Sequence, residues 1–534
     1  MNIPQNISLD TGNLEQNIST TVCIIGGGVA GQTLAAQLGK HNVSTVIVES
    51  GDDDFNAETQ ALAKGVNVGE DYYDLDSSRL RLFGGTAAIW GGRCAELDPI
   101  DFEARDYIPH SGWPITKADL DSYYAEVFKS LGLQRAGEGR LWKTINRKPP
   151  SFDPEKLDAD LWAFDEEGER FTDMNRKELE KARLILNANL TNIDVNEQGE
   201  VQAITVKSLN GHSAEIKAKF FVLAAGAIET IRLLMGAVAN RPNGLGQEKD
   251  QLGRFFMEHP HARGGQILPE SLAQTLQVLP RALRVGGQRY AAYLRPSPSL
   301  QRQLGILNST ISIAPRRHEG EKQEKFRSAL NTLKHDLPSS RIWRSLYHGG
   351  KKMAVRGLEK TDPWSSILNM KASRGKMGIY AVVRAEQAPN PDSRVALLDT
   401  TDALGLRQPK LDWQFSELDK KSVHGLMTAL ADEYQRLGWG DVRLSSWLND
   451  PDISWKTDAL ISAHAIGGYH HMGGTRMSET PQTGIVNSDC RLHESPNLFI
   501  ASSSVFPTGG WANPTVTIMA LALRLGDHIK TLCP

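Results

Sequence analysis

The sequence predicts an α/β protein: a Rossmann-like dinucleotide-binding domain interrupted by an inserted α+β domain built on an antiparallel sheet. Three observations predict it. A strand, a glycine-rich turn, a helix and a second strand ending in an acid succeed one another between Thr20 and Glu49. The strand–glycine–helix order returns in KFFVLAAGAIETIRLLM, Lys219–Met235. From about residue 265 to 460, alternating segments such as QRYAAYLRP and SRVALLD read as antiparallel strands, whose side chains point to opposite faces with period two. A chain of 534 residues is also too long for one ordinary domain. The expected partition places 1–264 and 461–534 in the first domain and 265–460 in the second.

Composition narrows the classes. With 60 Lys and Arg against 63 Asp and Glu, the formal charge is -3, which argues against a surface built to neutralise nucleic-acid phosphates. Apolar residues at 40% and charged residues at 23% are globular rather than disordered values. Cys23, Cys94, Cys490 and Cys533 are far apart and form no CxxC pair, so a disulfide scaffold and a thiolate metal site are excluded. The opening stretch MNIPQNISLDTGNLEQN has neither a basic nor an apolar leader region, and no run approaches ~18 apolar residues. The expected location is cytoplasmic.

In the first unit, Thr20–Ile25 is the strand, GGGVAG the turn, Gln32–Lys40 the helix and Ser44–Val48 the second strand. Gly26 lets the chain turn tightly, Gly28 lets backbone approach a pyrophosphate, and Gly31 lets the helix pack closely on the sheet. The helix N-terminus offers unpaired N–H groups and positive dipole to phosphates. Glu49, 18 residues after Gly31, can accept hydrogen bonds from a ribose. This unit alone fits FAD and NAD equally.

The next cluster, RLFGGTAAIWGGRC (Arg81–Cys94), places Gly84, Gly85, Thr86, Trp90 and Gly91 in a loop suited to lie flat against a planar ring, or simply to pack against the sheet. Asp98–Ile115 reads as loop, closed by Trp113-Pro114 before a helix at Lys117–Leu131. Ala182–Val195 is strand-rich. The Ala225–Gly226 turn repeats the backbone-lined contact of the first unit, and GRFFMEHP (Gly253–Pro260) starts a new region. Within the insert, 316–376 carries 15 Lys and Arg against 6 Asp and Glu, with Phe326, Leu330, Leu333 and Leu337 at helical spacing. That pattern reads as basic amphipathic helices: a solvated excursion, or a docking surface for a membrane or partner.

The last 70 residues carry the chemistry. GGYHHMGGTRM (Gly467–Met477) sets histidines beside a glycine loop. Pro514 suits the first helical position, with Thr515–Ile529 as a terminal helix whose N-terminus aims positive dipole at what lies before it. An anionic reduced flavin would be stabilised there.

These motifs, with VLAAGAIET and EQAPNPDSRVAL (Glu386–Leu397) in the same order, resemble the glucose–methanol–choline (GMC) oxidoreductases over nearly the whole chain, and Asn513, with HMGGT and ANPT around it, is similar to the pyranose-oxidase and sugar-dehydrogenase branch, although cholesterol oxidases also have Asn there. The resemblance implies FAD, an antiparallel substrate sheet over the flavin, and oxidation of an alcohol by hydride transfer to flavin N5. It also implies a catalytic histidine in an H-x-x-G-T loop, matched by His471, and a His or Asn before the terminal helix, matched by Asn513. Imidazole and carboxamide suit the chemistry. A neutral histidine takes the alcohol proton, and an amide N–H stabilises the developing alkoxide. His464 and His470 are the competing histidines, and a structural helix cap is the competing role for Asn513.

Where family members bond FAD to a histidine, this chain has Ile89, so non-covalent FAD is expected. Asn487 and Ala501-Ser502 also depart from the family pattern, at details of the flavin contacts. No metal site is expected from the adjacent histidines. The implied substrate is a sugar, glycoside, polyol or aminocyclitol, and the acceptor O2, a quinone or a redox protein. A hydrophobic alcohol (sterol or aromatic) is the alternative substrate. A non-catalytic flavoprotein subunit of an electron-transfer complex is the alternative of another class.

Overall fold

Val22, Cys23, Ile24 and Ile25 are all buried, and a strand buried on both faces belongs in the middle of a covered parallel sheet. In the computed structural model their strand, Asn17–Ile25, lies there, parallel to Thr45–Val48 on one side and Ser213–Leu223 on the other. The structure describes residues 6–12, 14–166, 179, 181–241, 244–321, 346, 349–350, 353, 364–462 and 464–533. Among these, the first sheet has eight strands. Asn6–Ser8 and Ala182–Leu186 extend it beyond Thr45–Val48, and an antiparallel pair, Val201–Lys207 and Asn189–Val195, extends it beyond Ser213–Leu223. Leu498–Ile500 returns from the far end of the chain to run parallel beside Phe221–Leu223. The helix Val29–Lys40 follows the first glycine turn and packs against the terminal helix, Thr515–Leu532.

The second sheet is also eight-stranded and antiparallel throughout. Its order is Gly440–Leu444, His261–Pro269, Met377–Arg384, Thr310–Arg317, Gln288–Pro296, Leu157–Phe164 and Arg93–Cys94, with Leu283–Val285 paired to Gln288–Pro296. Here the structure differs from the expected partition. Leu157–Phe164 and Arg93–Cys94 come from within 1–264, and His261–Pro269 also begins there, so the chain enters the second sheet three times before residue 265. The helix Glu417–Arg436 buries Val423, Leu426, Met427 and Leu430, and packs on this sheet through the strand His261–Pro269. One hydrophobic core runs through both layers, with Cys23 and Val222 at one end and Trp162, Tyr293 and Trp511 at the other.

Of the basic segment 316–376, residues 322–345, 347–348, 351–352 and 354–363 lie outside the described residues, and with them most of the expected amphipathic helices. Among the described residues, no helix is long and apolar enough to cross a membrane.

Candidate active site

The parallel strands end where a ligand can be reached. Ile25, Val48, Leu223 and Ile500 are followed by Gly26, Glu49, Ala224 and Ala501, and all four of these line one cavity of about 560 Å³. The carboxyl ends of parallel strands are the usual ligand crevice of doubly wound folds, and the volume suits an organic ligand.

The first glycine turn is built as its sequence suggests. Gly26 has φ +110°, and a Cβ there would stand 2.5 Å from the Ala224 carbonyl oxygen. Gly28 has open space where its Cβ would be, so its backbone is bare to the cavity. Gly31 is different: its Cβ would fall 2.0 Å from the Gly26 oxygen, and it does not line the cavity. It serves by packing the helix onto the turn.

Glu49 is held in place by three donors. Its Oε2 accepts the Gly27 N–H (2.7 Å), and its Oε1 accepts the Gly51 N–H (2.9 Å) and the Ser50 hydroxyl (3.0 Å). A carboxylate offers about four lone-pair sites, so roughly one remains for a ribose hydroxyl. Burial raises its pKa, against the lowering by these hydrogen bonds. Gly84, Gly85, Thr86, Trp90 and Gly91 also line the cavity, and the Gly84 N–H donates to the Gly27 oxygen (3.0 Å), tying that loop to the glycine turn. Ala225, Gly226, Pro514 and Thr515 line the cavity as well. Nearby, Glu229 collects Arg79, Arg81 and Arg232 at 3.4, 2.6 and 3.0 Å. Burial alone would raise Glu229, but the three guanidiniums overcome it and bring its pKa to about 2. Bare backbone at a helix start, a fixed acid with an unused acceptor site and a cationic flank together fit a dinucleotide such as FAD.

The adjacent His470 and His471 also line the cavity, and they belong to different networks. His259 Nε2 bonds to the Gly510 carbonyl oxygen (2.8 Å), which can only accept, so His259 donates from Nε2. Burial holds His259 neutral, with its pKa near 4, so its Nδ1 must accept. The proton in the His259 Nδ1–His470 Nδ1 bond (2.9 Å) therefore belongs to His470. His470 Nε2 then carries the lone pair, and it makes no hydrogen bond with any described residue. A Cβ on Gly468 would stand 2.5 Å from His470 Cε1, so a glycine there makes room for the ring. His471 is more enclosed, at 8% exposure. Its Nε2 meets the Tyr72 hydroxyl (2.9 Å), and burial, with the charge of Arg79, pushes its pKa to about 3.

Glu258 sits beneath both histidines with no exposed surface. It accepts the backbone N–H groups of His259 (2.7 Å), Gly468 (3.2 Å) and His470 (2.9 Å), and the Tyr72 hydroxyl (2.6 Å). Burial raises its pKa to about 7 despite these bonds. An amide in its place would set an N–H₂ group against these donors. Glu258→Gln is therefore expected to lower thermal stability by about 1–3 kcal/mol and to loosen both histidines; calorimetry would read the first effect and flavin reduction the second.

The loop carrying Asn513 is equally fixed. Trp113 Nε1 donates to Thr508 Oγ1 (2.8 Å), Thr508 donates to the Asp101 oxygen (2.7 Å), the Gly510 N–H reaches Glu386 (3.2 Å), and Trp511 Nε1 reaches Asp98 (2.7 Å). Glu386 itself is paired with buried Arg105 at 3.0 Å. The terminal helix begins at Thr515, with Pro514 at the cap, one place earlier than expected. The Asn513 carboxamide makes no hydrogen bond with any described residue, so it does not cap the helix through its side chain. His471, His470 and Asn513 all line the one cavity. Sequence reasoning missed Tyr72, Glu258 and His259. The Glu-His pair inside GRFFMEHP was visible, but nothing local links it to a loop two hundred residues away.

Residues 21–338 match the family profile of the FAD dependent oxidoreductases, and 389–522 match the C-terminal profile of the GMC oxidoreductases. The fructose dehydrogenase large subunit of Gluconobacter japonicus is 25% identical over 364 residues, 65% of this chain and 54% of that protein, so the chain spans about half that relative's length. The 6'''-hydroxyparomomycin C oxidase of Streptomyces lividus is 21% identical over 570 residues, 96% of this chain and 91% of that one. Among solved structures, the pyridoxine 4-oxidase of Mesorbium loti aligns over 95% of this chain and 99% of its own, with TM-score 0.53 at 15% identity, a likeness of fold.

Proposed function

Because the chain belongs to the FAD dependent oxidoreductase family, as a member of the GMC type, we propose that it oxidises an alcohol of a sugar, glycoside, polyol or aminocyclitol to the carbonyl. FAD is its cofactor, and when bound it supplies the hydride acceptor at N5. One observation carries the reading: a neutral imidazole with an unengaged lone pair and an uncommitted carboxamide line the same cavity as the dinucleotide turn.

Loop spacing selects His471 as the base. The hydrogen bonds favour its neighbour, His470, whose protonated nitrogen is fixed toward His259 and whose Nε2 is left to take the alcohol proton. His471 spends its Nε2 on Tyr72. Asn513 donates an N–H to the alkoxide as it forms and aligns the C–H for transfer. Arg93, Arg289, Arg316 and Arg384 in the wall suit a polar substrate better than a sterol. The cofactor is held without a covalent bond, Ile89 having no group to make one. The acceptor is O2, a quinone or a redox protein. Cytoplasmic residence is part of the same reading, in keeping with four free cysteines.

Anaerobic mixing of the holoenzyme with a panel of sugars, polyols, aminocyclitols and a sterol tests the reading. Bleaching of the flavin by a member of the first three classes is expected. A flavin that no alcohol bleaches would leave the non-catalytic alternative standing.

A further inference from the structure

On the substrate-sheet side of the cavity, two guanidiniums share one indole and have no acid between them. Arg93, on the short strand Arg93–Cys94, and Arg384, at the end of Met377–Arg384, each place Cζ 5.5 Å from the Trp162 ring centroid. Arg93 also lies 5.3 Å from the Phe164 centroid. The Arg93 side chain makes no hydrogen bond with any described residue, and its Nε is fully enclosed. Arg384 Nη1 reaches the Ser312 hydroxyl at 3.0 Å, and neither arginine has a carboxylate partner among the described residues. Burial lowers the pKa of Arg93 to about 10, with a further push from the charge of Arg289; burial, then Arg93 and Arg316, lowers that of Arg384. Arg384 lies opposite His261 in the sheet register, which places the pair beside the histidine wall.

Two half-buried guanidiniums that repel one another and lack an acid are costly to keep. Their planar forks match an oxyanion. The cofactor's phosphates would have another place, the helix start after Gly28, whose backbone lines the same cavity. We propose that Arg93 and Arg384 bind an anionic group of the substrate, so that the alcohol oxidised belongs to a sugar bearing a carboxylate or a phosphate ester. The proposal rests on the oxidative reading of the same cavity and narrows it to a substrate class.

The test uses holoenzyme and three probes: methyl glucoside, methyl glucuronide and glucose 6-phosphate. One anionic sugar should reduce the flavin with kcat/KM at least 10-fold above the neutral one, and which of the two does so tells carboxylate from phosphate. R93Q and R384Q should each cut that preference by about 10- to 100-fold, and R384K should restore part of it. The two arginines are substituted separately, so one variant that fails to fold does not end the test. Reduction by the neutral sugar alone, or variants that slow all three probes alike, would overturn the anion site while leaving alcohol oxidation intact. If no probe reduces the flavin, calorimetric titration of the same sugars decides: anionic sugars binding wild type and lost in R384Q support the site, and no difference overturns it.

Discussion

Replacing His470 by alanine should slow anaerobic flavin reduction by ~100-fold or more, the scale of a lost general base, while flavin content stays at the wild-type level. His471→Ala should cost far less, about 10-fold at most, because that ring works through Tyr72. The difference comes from wiring. Gly510 can only accept, which fixes His259, which in turn fixes the proton on His470 Nδ1 and leaves Nε2 basic. Burial, then the charges of His259, His261, His471 and His464, holds the pKa of His470 well below the ordinary value of a histidine. The neutral, proton-accepting form therefore persists as pH falls through ~6.5, where an exposed imidazole would protonate, and the reduction rate should show no drop there. Stopped-flow reduction of both variants across that range checks the assignment. A large loss confined to His471→Ala would return the role to the histidine that loop spacing selects.

What was legible in the sequence follows how local the cause is. The glycine turn, the helix after it and Glu49 lie within thirty residues, and each glycine has a reason that survives in the structure, Gly31 through packing alone. The loop at Gly84–Gly91, which the sequence leaves open between lying against a planar ring and packing on the sheet, and the turn at Ala225–Gly226 both line the cavity. Long-range partners were not legible. Tyr72 meets Glu258 across 186 residues and Trp113 meets Thr508 across 395. No periodicity records such meetings. The same holds for Leu157–Phe164, which pairing with Gln288–Pro296 draws into the second sheet. Arg93 and Arg384 stand 291 positions apart, and only the shared Trp162 shows that they meet.

The two walls of the cavity therefore depend on different kinds of support. The histidine and asparagine wall is held by buried carboxylates, Glu258 under one loop and Glu386 and Asp98 under the other. The glycine turn of the dinucleotide wall depends on close approach of backbone, at Gly26 and Gly31, where the neighbouring atom is a carbonyl oxygen that cannot rotate away. It should be the less forgiving of the two.

Gly31→Ala is the sharpest test of that contrast. Alanine is the better helix former by about 1 kcal/mol, and Gly31 lies inside Val29–Lys40, so propensity alone predicts a more stable protein. The added Cβ would stand 2.0 Å from the Gly26 oxygen, a backbone atom that cannot rotate away. Overpacking of that kind costs about 1–3 kcal/mol or more, which outweighs the helical gain. The helix must move off the turn, so G31A should lose thermal stability with or without FAD and should purify with little flavin. Gly28→Ala should behave differently. No protein atom lies within 4 Å of its added Cβ, so apoprotein stability should hold while FAD affinity falls, the methyl entering space the pyrophosphate needs. Flavin-to-protein ratio and apoprotein melting, measured on both variants, separate the two roles. A G28A protein that binds FAD as wild type does would mean that the cofactor does not approach this turn, and the dinucleotide wall would have to be sought elsewhere in the cavity.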